Sequence, residues 1–127
     1  MPSRKQENLK RALTQLTEFA ATEKPSKVER AGIIQAFEFT FEQFWKVMKE
    51  RAEQHGFEAS SPRSAMKQAY KLGIITDEAA WLQMIKDRNL TTHVYNEGLA
   101  QEIYERILSL YVPAFQSAWA NLVADRT

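Results

Sequence analysis

No cysteine occurs among the 127 residues. That removes disulfides, thiol nucleophiles and zinc–thiolate sites, and it fits a reducing compartment. Glycine and proline are scarce, four of each, which disfavours a turn-rich β-protein and favours long helices. No apolar run reads as a membrane span, and the polar stretch from Met1 to Glu7 carries no signal-peptide core. The expectation is a soluble cytoplasmic protein with no membrane contact. There is no glycine-rich phosphate loop and no serine nucleophile elbow. Two histidines, no cysteine and no carboxylates at metal-ligand spacing leave no expected metal site. Glu38 and Glu42 stand four apart, but no Glu-x-x-His follows, which argues against a di-iron bundle. Net charge is only +1, so bulk electrostatics do not announce a polyanion partner.

What is present suits one globular domain spanning 1–127. At 44% hydrophobic and 11% aromatic, a chain of this length can bury a real core. Charge is unevenly spread. Residues 1–30 hold seven basic and four acidic side chains, whereas residues 76–127 hold four and seven. Between them Arg63, Lys67 and Lys71 recur every fourth residue, with no acid between Glu58 and Asp77. On a helix they form one basic stripe, which is either a solvated face or a set of RNA phosphate contacts.

Apolar periodicity supplies the architecture. Leu9, Leu13, Leu16 and Ala20 predict a first helix over about residues 5–21. Ser26 with Glu29 reads as a capping box opening a long second helix to about Gln54. Its seam is Ile34, Phe37, Phe41, Phe44 and Met48, widened by Ile33, Phe39 and Trp45. Ser61-Pro62 opens a short helix that Gly73 closes. Thr76 or Asp77 caps a fourth helix carrying Trp81, Met84 and Ile85. Asn96-Glu97 starts a fifth, with Leu99, Ile103, Ile107 and Leu110 inward, and Pro113 should kink or restart it. The product is an all-α, up-and-down four-helix bundle with an additional short helix. Tyr104 and Tyr111 can belong either to the fold or to a dimer face.

The chemistry concentrates in the run Arg88-Asn89-Leu90-Thr91-Thr92-His93-Val94-Tyr95. Arg is a fixed phosphate fork, His trades protons near neutral pH, and Tyr offers a modifiable hydroxyl. Arg88 continues the apolar face of Trp81, Met84 and Ile85, so its guanidinium needs a partner. Glu38, on the stripe of Ile34, Phe41 and Trp45, is the expected one. Such a pair either fixes helix register or holds Arg88 toward a phosphate. His93 is five residues beyond Arg88, an offset of about 140° in an unbroken helix. The two converge only if the helix ends or bends between them, or if one comes from another copy of the chain. His55, before Gly56 at a helix end, is explained by the helix dipole.

The segment from Arg30 to Glu42 (Arg-Ala-Gly-Ile-Ile-Gln-Ala-Phe-Glu-Phe-Thr-Phe-Glu) with Trp45-Lys46 resembles the nucleotidyltransferase substrate-binding protein family of the HEPN superfamily. So do Ser61-Pro62-Arg63, Gly73-Ile74-Ile75 and the stretch from Trp81 to Tyr95, and the resemblance covers about residues 30–112. It implies a dimer-forming helical bundle encoded beside a minimal nucleotidyltransferase, in related pairs as toxin and antitoxin. The HEPN signature of Arg, four to six residues, then His falls on Arg88 and His93, with Asn89 as the polar residue after the Arg. Tyr95 matches the Tyr of the longer form. In related toxins the Arg and His serve a metal-independent endoribonuclease, and the Tyr accepts AMP from the partner.

The expectation is therefore an endoribonuclease toxin with Arg88 and His93 catalytic, Glu38 and Asn89 supporting, and Tyr95 adenylylated by the partner. RNA cleavage would leave a 2′,3′-cyclic phosphate, and DNA, lacking the 2′-hydroxyl, would resist. No cofactor is expected beyond the ATP used by the transferase, and the assembly is expected to be a homodimer or higher homo-oligomer. The alternative is a non-catalytic subunit that presents a substrate or nucleotide to the transferase.

Overall fold

The computed structural model describes residues 3–90 and 96–124. Helix α1 (Arg4–Ala20) starts at Ser3, whose side chain accepts from the Gln6 N–H. It buries Leu9, Ala12, Leu13 and Leu16, a stripe of three- and four-residue steps. Helix α2 (Lys27–Gln54) begins with the expected box: Glu29 N–H donates to the Ser26 hydroxyl at 3.1 Å, and Ser26 N–H donates to Glu29 Oε1 at 2.9 Å. Helix α3 (Pro62–Lys71) opens on Ser61 with proline in its first turn.

Two glycines end helices for one physical reason. Gly56 and Gly73 sit at φ +83° and +79°, a region L side chains rarely adopt. The turn past each bonds back across the helix end, Phe57 N–H to Ala52 O and Ile74 N–H to Ala69 O, both at 2.9 Å.

Helix α4 (Glu78–Leu90) is capped by Asp77, whose Oδ1 accepts from Ala80 N–H at 3.1 Å. Helix α5 (Glu97–Arg106) is capped by Asn96. It runs through a π turn (Ile107–Tyr111) into α6 (Val112–Ala124). Pro113 thus neither breaks the helix nor needs the α-type bond it cannot donate into. The π turn ahead of it bonds Val112 N–H to Ile107 O, five residues back.

Cross-helix contacts fix the topology. Thr40 Oγ1 donates to Ala12 O at 3.2 Å while Lys5 pairs with Glu50, so α1 and α2 are antiparallel. Trp81 packs on Phe44 and Arg88 meets Glu42, so α4 is antiparallel to α2. Arg30 bonds Glu97, Phe37 stacks on Tyr111 and Phe44 on Phe115, so the final helix runs parallel to α2. This is the expected up-and-down bundle of four long helices, with α3 as the extra short one.

An aromatic cluster fills its centre. Phe44 and Phe115 stack with centroids 4.9 Å apart, and Trp81 meets each edge-on at 5.3 and 5.5 Å. Tyr111 belongs to the fold: it is fully buried. Tyr104 is half-buried against the core.

One expectation needs correction. The continuous helix Glu97–Ala124 is long and apolar enough by composition to cross a membrane. Reading Pro113 as a divider hid this. Ile103, Ile107, Tyr111, Phe115, Ala118 and Leu122 turn one stripe of that helix into the bundle core, whereas Leu108, Val123 and Leu110, the last expected to face inward, are exposed.

Candidate functional site

Arg88 lies in the last turn of α4, where a cation is favoured by the carbonyl end of the helix. Its guanidinium Nη2 contacts Glu42 Oε1, a buried atom. The expected partner was Glu38. The pair forms one turn further along the same stripe of α2 because Glu42 is held there. Trp45, three residues on, donates its indole N–H to Glu42 Oε2 at 3.0 Å. One carboxylate oxygen thus faces the indole and the other the guanidinium. The Arg88 side chain is 37% exposed and that of Glu42 26%. A pair this open contributes on the order of 1 kcal/mol or less to stability. Its stronger effect is to orient a guanidinium that still reaches solvent.

Next to Arg88 lies a second polar cluster that periodicity did not single out. Asp87 is fully buried. Arg106 grips it with two bonds, Nε to Oδ2 at 2.6 Å and Nη2 to Oδ1 at 2.9 Å. The Tyr111 hydroxyl donates a short bond to Oδ2, and Gln83 Nε2 approaches Oδ1 at 3.4 Å. Hydrogen bonding to Asp87 raises the Arg106 guanidinium above its ordinary value. Burial, then the bond to Asp87, raises the Tyr111 hydroxyl well above its ordinary value and keeps it a donor. A signal was available in the sequence: Ala80, Met84 and Asp87 share a four–three spacing, so Asp87 lies on the buried stripe.

His93 and Tyr95 lie outside the described residues. The flanks of their segment are defined. On one side is the α4 end with Arg88; on the other is Asn96, whose Oδ1 accepts from Leu99 N–H at 3.1 Å. Arg30 reaches across from α2 to bond Glu97 Oε2 at 2.8 Å and Gln101 Oε1 at 3.1 Å. The Arg30 bond holds the Glu97 carboxyl below the usual carboxylate value.

Glu38 is half-buried on α2, and Asn89 is exposed on the final turn of α4. Arg63, Lys67 and Lys71 are exposed along one face of α3. Among the described residues, none of these three basic side chains pairs with a carboxylate. Also among the described residues, no three His, Asp or Glu side chains gather closely enough to hold a metal ion.

A four-helix up-and-down bundle with a short extra helix is the HEPN-like helical fold. The family model described as nucleotidyltransferase substrate binding protein like matches residues 4–124, and the chain belongs to that family. Among curated proteins it is similar to the probable ribonuclease HepT of Haemophilus influenzae, 32% identical over 82 residues. That match covers 61% of this chain and 56% of the relative, so it spans little more than half of that protein. Among solved structures, a protein from Thermus thermophilus is 39% identical with a TM-score of 0.83, covering 90% of this chain and 98% of that one. A tri-AMPylated Shewanella oneidensis HEPN toxin, solved in complex with an MNT antitoxin, shares the fold with a TM-score of 0.75. It is 16% identical, and 95% of each chain is covered.

Proposed function

We propose that this protein is a metal-independent endoribonuclease, the toxin of a pair whose antitoxin is a minimal nucleotidyltransferase. The observation that carries the reading is Arg88 in the last turn of α4, held by Glu42 yet partly exposed, five residues before His93. Arg88 stabilises charge on the scissile phosphate. His93 takes the proton from the RNA 2′-hydroxyl or gives one to the leaving oxygen. One histidine does not readily do both, so a homodimer that brings two Arg–His sets into one cleft completes the chemistry. The product is a 2′,3′-cyclic phosphate. Arg63, Lys67 and Lys71 contribute phosphate contacts. Adenylylation of Tyr95 by the partner places a bulky anion near Arg88 and blocks RNA.

The reading is tested by incubating bulk RNA with the purified chain in EDTA, beside His93→Ala and Arg88→Ala. Cleavage by the parent alone supports it. A second reading, a non-catalytic subunit presenting substrate to the transferase, is favoured by the family description itself. Folded parent protein that cuts no RNA but binds the transferase tightly would establish that reading in place of the first.

A further inference from the structure

Arg106 and Tyr111 are five residues apart, which on a regular α-helix separates them by about 140°. Both nevertheless bond the same atom, Oδ2 of Asp87. The π turn between them resolves the conflict. Closing bonds across five residues brings positions five apart onto one face, and such turns occur frequently at functional sites. The buried ion pair is itself a weak device for stability, since apolar packing often does as well, but it is well suited to fixing register. Two uncommon features thus converge on one carboxylate, and the next residue is Arg88. Asp87 faces the final helix while Arg88 faces α2. Clamping Asp87 therefore sets the rotation of the last turn of α4, and with it the direction from which Arg88 meets Glu42.

We propose that Asp87, Arg106 and Tyr111 form a positioning unit that aims Arg88, with the π turn as the feature that lets both donors reach one carboxylate. The proposal rests on the reading of Arg88 as the phosphate-binding cation. None of the three residues contacts RNA; they act through Arg88.

The test uses Tyr111→Phe, which removes one hydroxyl donor but keeps the ring stacked on Phe37, and Arg106→Lys, which keeps the charge but loses the fork. Two readouts are followed in the intact chain. The first is the indole N–H resonance of Trp45, which reports on Glu42 through their 3.0 Å bond, with Trp119 as internal reference. The second is the kcat and KM of RNA cleavage. In the folded variants the Trp45 resonance should move as it does in Arg88→Ala while Trp119 stays fixed. The kcat should fall roughly 10- to 100-fold, the scale on which supporting partners of a functional group act, with KM little changed. Lower melting temperatures with Trp45 and kcat both at parental values would overturn the proposal, leaving the cluster a purely structural lock. If the parent itself cuts no RNA, the nuclease reading fails alone, and the Trp45 resonance still decides whether the unit positions Arg88.

Discussion

Truncating the two ends of the Asp87–Arg106 pair should have unequal costs, because the two ends are unequally buried. The Asp87 side chain is 0% exposed and that of Arg106 28%. Arg106→Met leaves a carboxylate sealed in the bundle with Tyr111 and Gln83 as its remaining donors. Breaking a buried pair so as to strand a charge costs about 3–5 kcal/mol. Asp87→Leu strands a guanidinium that can turn toward water, and it orphans the buried Tyr111 hydroxyl, at about 1–3 kcal/mol. For a domain of this length each kcal/mol moves the melting temperature by about 4 °C. Arg106→Met should therefore melt roughly 12–20 °C below the parent, and Asp87→Leu roughly 4–12 °C below. The triple variant Asp87→Leu, Arg106→Met, Tyr111→Phe removes every stranded group and should recover much of the loss. Thermal unfolding followed by circular dichroism gives all three values. Equal losses for the two single variants, or a triple variant worse than Arg106→Met, would refute the reasoning that burial of the carboxylate governs the cost.

Other expectations are simpler to check. Tyr111 ionises in the folded state only well above its ordinary value of 10.0, because burial and Asp87 favour the neutral form. The raised value makes its contribution complete below pH 10 and progressively lost above it, so urea unfolding should show a decline at alkaline pH that is smaller in Tyr111→Phe. Phe44, stacked on Phe115 and edge-on to Trp81, should cost about 3–5 kcal/mol when truncated to Ala, read as a lower urea midpoint. Lys67→Ala on α3 should leave the melting temperature unchanged but weaken RNA binding and reduce its logarithmic salt dependence by about one phosphate contact. An unchanged salt slope would mark the stripe as a solvated face.

The sequence was most informative where a local rule acts alone. The Ser26–Glu29 box, the Ser61-Pro62 start and the stop at Gly73 are each decided within a few residues, and each stands where its chemistry places it. The Phe37, Phe41 and Phe44 seam was legible because a three–four spacing needs no knowledge of the partner helix. The partner of Arg88 was not, since Glu38 and Glu42 occupy one stripe and only docking of α4 chooses between them. The indole of Trp45 could have pointed to Glu42, but a donor three residues away is informative only once its direction is known. Asp87 was obscured by its neighbours: between Lys86 and Arg88 it reads as one more surface charge. A constant 3.6-residue period sets Arg106 and Tyr111 on different faces, and the π turn violates that period.

The two ends of the segment 91–95 are held by polar contacts from different directions. At the α4 end, Glu42 reaches Arg88 from α2, while Arg106 and Tyr111 grip Asp87 from the final helix. At the α5 end, Asn96 caps the helix and Arg30 ties Glu97 and Gln101 to the start of α2. Apolar packing tolerates small sliding and rotation of helices, whereas bidentate and capping bonds have narrow angular limits. Placing such bonds at both ends fixes where a short connection leaves one helix and enters the next. General acid–base work by His93, as proposed, would require helix ends held in this way on both sides of it. The bonds at the two ends differ in exposure. The Arg30–Glu97 tie is open to solvent and weakens as Glu97 is protonated, because its lowered value makes its contribution complete above the ordinary carboxylate pKa and lost below it. Acid should therefore loosen the α5 end as Glu97 is protonated, reducing cleavage at a pH where the circular dichroism of the bundle is still that of the folded protein. Arg30→Gln should reproduce that loss at neutral pH; if it cleaves RNA like the parent, the α5 tie has no part in placing His93.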